Sequence, residues 1–267
     1  MNKDFWKSFT STFSMLVIPV AFIASVLIFM FVFGNPANFQ GGDPHNQPLP
    51  NNYYGVIYKG GFIVPIIMTT LITVLIFFIE RFLTIRKAAG KGKVVTFMSQ
   101  IKGLLDENNT SEAKSVCDAQ KGAVASVVRS GLDKYEEMEA SKEMNKDQKV
   151  AAIQKEVEEA TSLELPGLEQ NLVILATISS VATLLGLLGT VLGMIRAFSA
   201  MANAGAPDSV ALATGISEAL INTAFGIGTS ALAIIFYNFF TTKIDKITYS
   251  IDEAGFMLVQ SFSANHK

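Results

Sequence analysis

The sequence predicts an all-α membrane protein with four transmembrane helices and a helical cytoplasmic domain. Three observations predict it. Half of the 267 residues are hydrophobic and only 16% are charged, with a mean hydropathy of +0.38, against roughly 25% charged in a soluble domain. Four apolar runs, at 13–33, 62–79, 172–195 and 219–240, contain no charged residue, and each approaches the ~20 residues that cross a bilayer as helix. Between the second and third runs lies a Lys- and Glu-rich stretch whose apolar residues recur at helical spacing. The same composition excludes a disordered chain, which needs low hydrophobicity and high net charge. A net charge of −2 provides no basic footprint for nucleic acid. One cysteine, Cys117, rules out an internal disulfide framework, and His45 and His266 stand at opposite ends of the chain.

Taken in order, residues 1–12 read as a tail and 13–33 as the first span. Lys3 and Lys7 precede that span as they would precede a signal peptide. Its apolar stretch is longer than the usual ~7–15-residue core, and it exits through Val32-Phe33-Gly34-Asn35 without an A-x-A site, so a retained anchor is expected. The 34–61 connection is rich in Gly and Pro and reads as an irregular outer loop. Residues 62–79 form the second span. Both of these spans read as lipid-facing scaffold, with Thr69, Thr70 and Thr73 returning their hydroxyls to their own helix.

The 80–171 segment reads as helical. Val94, Phe97, Met98, Ile101, Leu104 and Leu105 mark one helix, and Val116, Val124, Val127, Val128 and Leu132 a second. A third, over 149–165, ends at Pro166-Gly167. The third span takes 172–201, a turn 202–209 and the fourth span 210–242, followed by a tail over 243–267. Asp208 or Ser209 is the expected cap of the fourth span. Lys and Arg cluster in the N-terminal tail, at 81–93 (Arg81, Arg86, Lys87, Lys91, Lys93) and after the fourth span (Lys243, Lys246). The positive-inside rule therefore places both termini and 80–171 in the cytoplasm.

No nucleophile–base pair or metal cluster is recognisable in the sequence. Gly90-Lys91-Gly92-Lys93 lacks the spacing of a phosphate-binding loop and reads as a basic patch facing lipid headgroups. Asn108-Asn109-Thr110 matches a glycosylation sequon but reads as a surface turn.

The last two spans differ from the first two. Gly186, Gly189, Thr190, Gly193 and Ala197 recur at steps of three and four, a small face suited to close helix packing. In the fourth span Thr214, Glu218, Asn222 and Thr229 fall within about 40° of one another at 100° per residue, while Thr223 is offset by roughly 140° from Glu218, toward Gly226 and Ser230. Glu218 is a carboxylate flanked on both sides by apolar helix, and an ionisable group there faces protein interior or a water path. Thr190 and Thr223 lie roughly 16–20 Å from the turn at 1.5 Å per residue, so their hydroxyls share one level. Interhelical hydrogen bonding without transport accounts for the same residues, and it stays open on them alone.

Gly186-Leu-Leu-Gly-Thr190-Val-Leu-Gly-Met194 with Ala197-Phe198, followed by Gly215-Ile-Ser-Glu218-Ala-Leu-Ile-Asn-Thr223-Ala-Phe-Gly226 with Tyr237-Asn238, resembles the MotA/TolQ/ExbB proton channel family, and its ExbB/TolQ branch most. The resemblance covers about 168–244 in detail and implies a bacterial inner-membrane subunit. It implies a homopentamer whose pore holds a single-span partner of the ExbD/TolR type, with a TonB-type protein as a further partner. Protons would be the coupling ion, and no cofactor is implied. By motif, Thr190, Thr223 and Glu218 would line the proton pathway, with Asn222, Thr229 and Asn238 as secondary pore residues and Gly186, Gly189, Gly193 and Gly226 as packing residues. The implied work is TonB-dependent import at the outer membrane, with a Tol-type unit, a gliding or secretion motor, or a non-conducting scaffold as alternatives. Three features depart from the family pattern: Ala182-Thr183 where Ala-Pro is frequent, Asn222 where a small apolar residue is usual, and the extra first span with its loop.

Overall fold

The computed structural model describes residues 16–203 and 209–265. The expected N-terminal tail with Lys3 and Lys7, the cap residue Asp208 and His266 lie outside them. The chain divides into two compact units, Met1–Ile79 with Val173–Tyr237 and Glu80–Leu172 with Asn238–Lys267. Among the described residues, four helices are long and apolar enough to cross a membrane.

The first unit begins with α1 (Leu16–Phe33), whose last turn widens to a π-helix over Ile28–Phe33. The loop after it, expected to be irregular, is tightly ordered. Asn38, 8% exposed, donates its amide to the Val32 and Phe33 carbonyls at 2.8 and 3.0 Å and accepts from Asn52 at 3.1 Å. These bonds satisfy a polar side chain that burial would otherwise penalise. Asn52 also caps the short α2 (Tyr53–Tyr58) by accepting from Gly55 N. Phe29 and Phe39 pack on the Tyr58 ring at 4.7 and 5.5 Å between centroids.

The α3 helix (Ile63–Ala88) corrects the expectation for the second span. Half of its apolar window is buried, against 17% for α1, so α1 alone fits the lipid-facing description. Ser25 of α1 donates to Pro65 O at 2.5 Å and meets the Thr69 hydroxyl, while Phe78 stacks on Phe236 of the last helix at 4.2 Å. Thr69, Thr70 and Thr73 do bond carbonyls of their own helix, each at 2.7 Å. Those internal bonds satisfy the hydroxyls of Thr69 and Thr73, which α3 buries.

The hairpin of α8 (Leu172–Asn203) and α9 (Ser209–Asn265) packs backbone to backbone. A Cβ built on Gly193 would stand 2.8 Å from Gly215 O and from Ala219 N, and one on Gly226 2.6 Å from Ala182 O. Gly186 faces Gly226 and Asn222 O in the same way, and Gly189 faces the Asn222 side chain. Small residues permit this approach, which gains dispersion contact where no hydrophobic drive acts between helices in lipid.

The second unit holds α4 (Val94–Asp106), α5 (Thr110–Gln120), α6 (Gly122–Ala140), α7 (Lys146–Glu169) and the C-terminal part of α9. Phe97, Met98, Ile101 and Leu105 are buried, as the spacing of α4 predicts. Three boundaries differ from expectation. The predicted second helix is two, because Lys121 (φ 58°) and Gly122 (φ 86°) turn the chain between Val116 and Val124. The third helix runs through Pro166 to Glu169 and ends where Asn171 takes φ 65°. Pro166 has no N–H to offer the carbonyl four residues back, and beyond it buried Arg81 (1% exposed) donates to the Gly167 and Leu168 carbonyls, which the helix end leaves without intrahelical donors. Finally, 243–265 is not a free tail: Leu258 and Phe262 are buried, Phe262 meets Tyr135 edge-on at 4.8 Å, and Asn265 donates to Leu105 O.

Two outcomes follow from this packing. Gly193→Val should destabilise the hairpin by about 2 kcal/mol through overpacking, read as a lowered thermal midpoint of the detergent-solubilised protein. Arg81 also pairs with Glu80 at 2.5 Å, so Arg81→Met should cost about 3 kcal/mol by stranding a largely buried acid. Cys117 reports it: burial pushes this thiol up to about 12, so a maleimide should label it slowly in the native protein and faster in that variant.

Candidate functional site

The glycine seam sets the register of the hairpin, and the register sets the site. Gly186 meets Gly226, Gly193 meets Ala219 and Ala197 meets Gly215, so each step along α8 is matched by one back along α9. That alignment brings Thr190 and Thr223 face to face, and their hydroxyls are hydrogen-bonded. The Gly186 and Ala219 carbonyls surround the pair, at 3.2 to 3.5 Å from one or the other hydroxyl. Two donors among four oxygens can hold the hydroxyl–hydroxyl bond in either direction. Such a node can relay a proton or hold water, but it stores no charge at neutral pH.

About a turn and a half nearer the loop, the same register sets Arg196 beside Glu218. Glu218 is 5% exposed and accepts from Arg196 Nη1 at 2.5 Å. The guanidinium stands 5.5 Å from the Phe62 ring centroid, and the Gly61 backbone lies against Glu218 Oε1. Glu218 therefore sits well inside α9, not at its start.

Asn222 is fully buried and donates to Gly60 O at 2.9 Å, while its Oδ1 has no hydrogen-bond partner. Thr229, 2% exposed, also carries a buried hydroxyl without a partner. Burying such atoms unpaired costs about 1–3 kcal/mol each. Glu218 and Asn222 thus point to the Gly60–Gly61 turn, whereas Thr223 points to α8. Thr214 accepts from Gln47 at 3.2 Å and bonds Val210 O. Ser230 reaches back to the Ser179 carbonyl. Asn238 is exposed, its carbonyl accepting from Thr242, and it belongs to the other unit. The structure therefore joins Thr190 to Thr223 and sets Glu218 beside Asn222.

No role is assigned from the sequence to Arg196, Gly60 or Gly61. The signal for Arg196 was present: a lone cation ending one apolar helix and a lone carboxylate within the next meet if the glycines fix the hairpin. No signal of that kind marks the glycine turn, whose partner lies about 160 residues away in the chain. Among the described residues no group of three His, Cys, Asp or Glu side chains is placed to hold a metal ion.

Comparisons with known proteins place the hairpin in a family. The model of the MotA/TolQ/ExbB proton channel family matches residues 119–253, which include both threonines, Arg196 and Glu218. The biopolymer transport protein ExbB-like 3 of Synechocystis is 41% identical over 86 residues, 32% of this chain and 41% of that one. The Tol-Pal system protein TolQ of Pseudomonas aeruginosa is 30% identical over 136 residues, 51% and 58% respectively. ExbB of Salmonella typhimurium is 36% identical over 89 residues, 33% and 36%. The chain thus spans about 36% to 58% of the length of these curated relatives. With a family model covering half of its residues, and a paired threonine node at the centre of the matched hairpin, the chain belongs to the MotA/TolQ/ExbB proton channel family.

Proposed function

We propose that this protein is an inner-membrane stator subunit that, with a single-span partner of the ExbD/TolR type, converts the proton-motive force into mechanical work. The work would energise TonB-dependent import at the outer membrane, through a homopentamer whose pore the α8 and α9 helices line. Both termini and the helical segment 80–171 would be cytoplasmic, where the Lys/Arg clusters fall. The observation that carries the reading is the Thr190–Thr223 hydroxyl pair, set by a glycine seam, with buried Glu218 about a turn and a half away on the same helix. Hydroxyls relay protons but do not hold them, so the reading calls for an acid from a partner subunit. A Tol-type unit is the second reading, since relatives named TolQ match as well as those named ExbB.

Thr223→Val keeps the shape and removes the hydroxyl. It should reduce coupled transport about tenfold or more, while Thr223→Ser retains most of it. The assay is uptake in cells expressing each variant at matched levels. Full activity of the valine variant would overturn the pore assignment. A pull-down from native membranes should recover a single-span protein with a membrane aspartate, and that protein's soluble domain would distinguish the TonB-linked unit from the Tol type. A homogeneous homo-oligomer without such a protein would instead support a non-conducting scaffold.

A further inference from the structure

The loop between the first two spans is an addition to the family plan, and nothing so far gives it a role. It does not hang free. Lys59 is clamped by the Pro44 and His45 carbonyls, each at 3.0 Å, and lies over the Phe39 ring. Phe39 is 2% exposed, and Gln40 N bonds Gln47 O across a short antiparallel bridge. Having spent Lys59 on its own carbonyls, the loop presents backbone, not charge, to the last helix.

Three contacts seat it there. Gln47 donates to Thr214, Asn222 donates to Gly60 O, and the Gly61 backbone packs on the Glu218 carboxylate. Gly61 takes φ +74°, and a Cβ on it would collide with Glu218 Oε1. Next to it Phe62 carries the Arg196 guanidinium on its ring. The two partners are buried very unequally: the Glu218 side chain is 6% exposed and that of Arg196 49%. Among the described residues, Arg196 is the one charged side chain that an ion pair joins to Glu218.

We propose that the loop and Arg196 form a seal over Glu218, with Arg196 as a positioning residue. The Gly60–Gly61 turn closes one side of the carboxylate, and the half-exposed guanidinium, steadied by Phe62, closes the other. Access to Glu218 then requires Arg196 to swing off Phe62 or the glycine turn to lift. The proposal rests on the reading of Glu218 as a working carboxylate of the proton pathway. It assigns the additional first span and its loop to controlling that carboxylate.

The seal is tested by modifying Glu218 itself with a water-soluble carbodiimide and a glycine ester. The full-length protein stays in its native membranes, made permeable to the reagents, and the Glu218 peptide is followed by mass spectrometry. Glu218 should react far more slowly than exposed Glu112. Arg196→Met should raise its rate about tenfold, Arg196→Lys should restore most of the protection, and Gly61→Ala should raise the rate as well. A thermal midpoint near the wild-type value, measured on each detergent-solubilised variant, checks that the hairpin around Glu218 is folded. A wild-type Glu218 as reactive as Glu112 overturns the seal, whatever the variants do. So does an Arg196→Met rate equal to the wild-type rate, or a lysine variant as open as the methionine one. The labelling needs neither a proton gradient nor a partner. Failure of coupled transport would therefore leave this result standing, and failure of the seal would leave the transport reading intact.

Discussion

The close approach of α8 and α9 is the constraint on which the rest of the first unit depends. Gly186, Gly193, Gly215 and Gly226 each leave less room than a methyl group needs. Only at that separation can two short threonine side chains touch across a helix pair. The same separation brings a long arginine and a glutamate together about a turn and a half away. In a bilayer the hydrophobic effect cannot hold two helices at that spacing, so van der Waals contact and hydrogen bonds must. Glycine is thus the element that makes the polar chemistry geometrically possible.

Polar groups inside the first unit fall into two kinds. Ser25, Asn38, Thr69 and Thr73 are buried and fully served by carbonyls near them. They fix α1 to α3 and close the loop, which are structural tasks. Glu218, Asn222 and Thr229 are buried on one helix, and two of these three keep an unpaired polar atom. Unsatisfied buried groups are disfavoured, so their concentration on the helix that carries the carboxylate marks it as the part of the unit whose interior is polar by more than packing.

The second unit is held differently, by a water-soluble kind of architecture. Asn109 and Asn145 cap α5 and α7, the latter in a reciprocal arrangement with Gln148. Its core is conventional, with Ile101, Leu132, Tyr135, Ile153, Leu258 and Phe262 all below 2% exposure. The 57-residue α9 belongs to both units. Its N-terminal and C-terminal portions therefore obey different rules: small residues and hydroxyls in the first, large apolar side chains facing α4 and α6 in the second.

Four spans, the α4 helix, the glycine face and the common level of Thr190 and Thr223 were legible because each rests on spacing within one helix or on the symmetry of one hairpin. Hydropathy and a 1.5 Å rise determine these without reference to the remainder of the chain. What the tertiary structure decided depends on partners distant in sequence. The helix that carries Pro166 ends on carbonyls that Arg81, from another helix, serves. The second span is half buried because α1 meets it through Ser25 and α9 through Phe236, and hydropathy cannot distinguish lipid from an apolar neighbour. Residues 243–265 are packed because apolar faces of α4 and α6 receive them. Arg196 and Gly61 acquire their meaning from Glu218 for the same reason: a charge or a glycine has no stated role until the fold supplies the atom it faces.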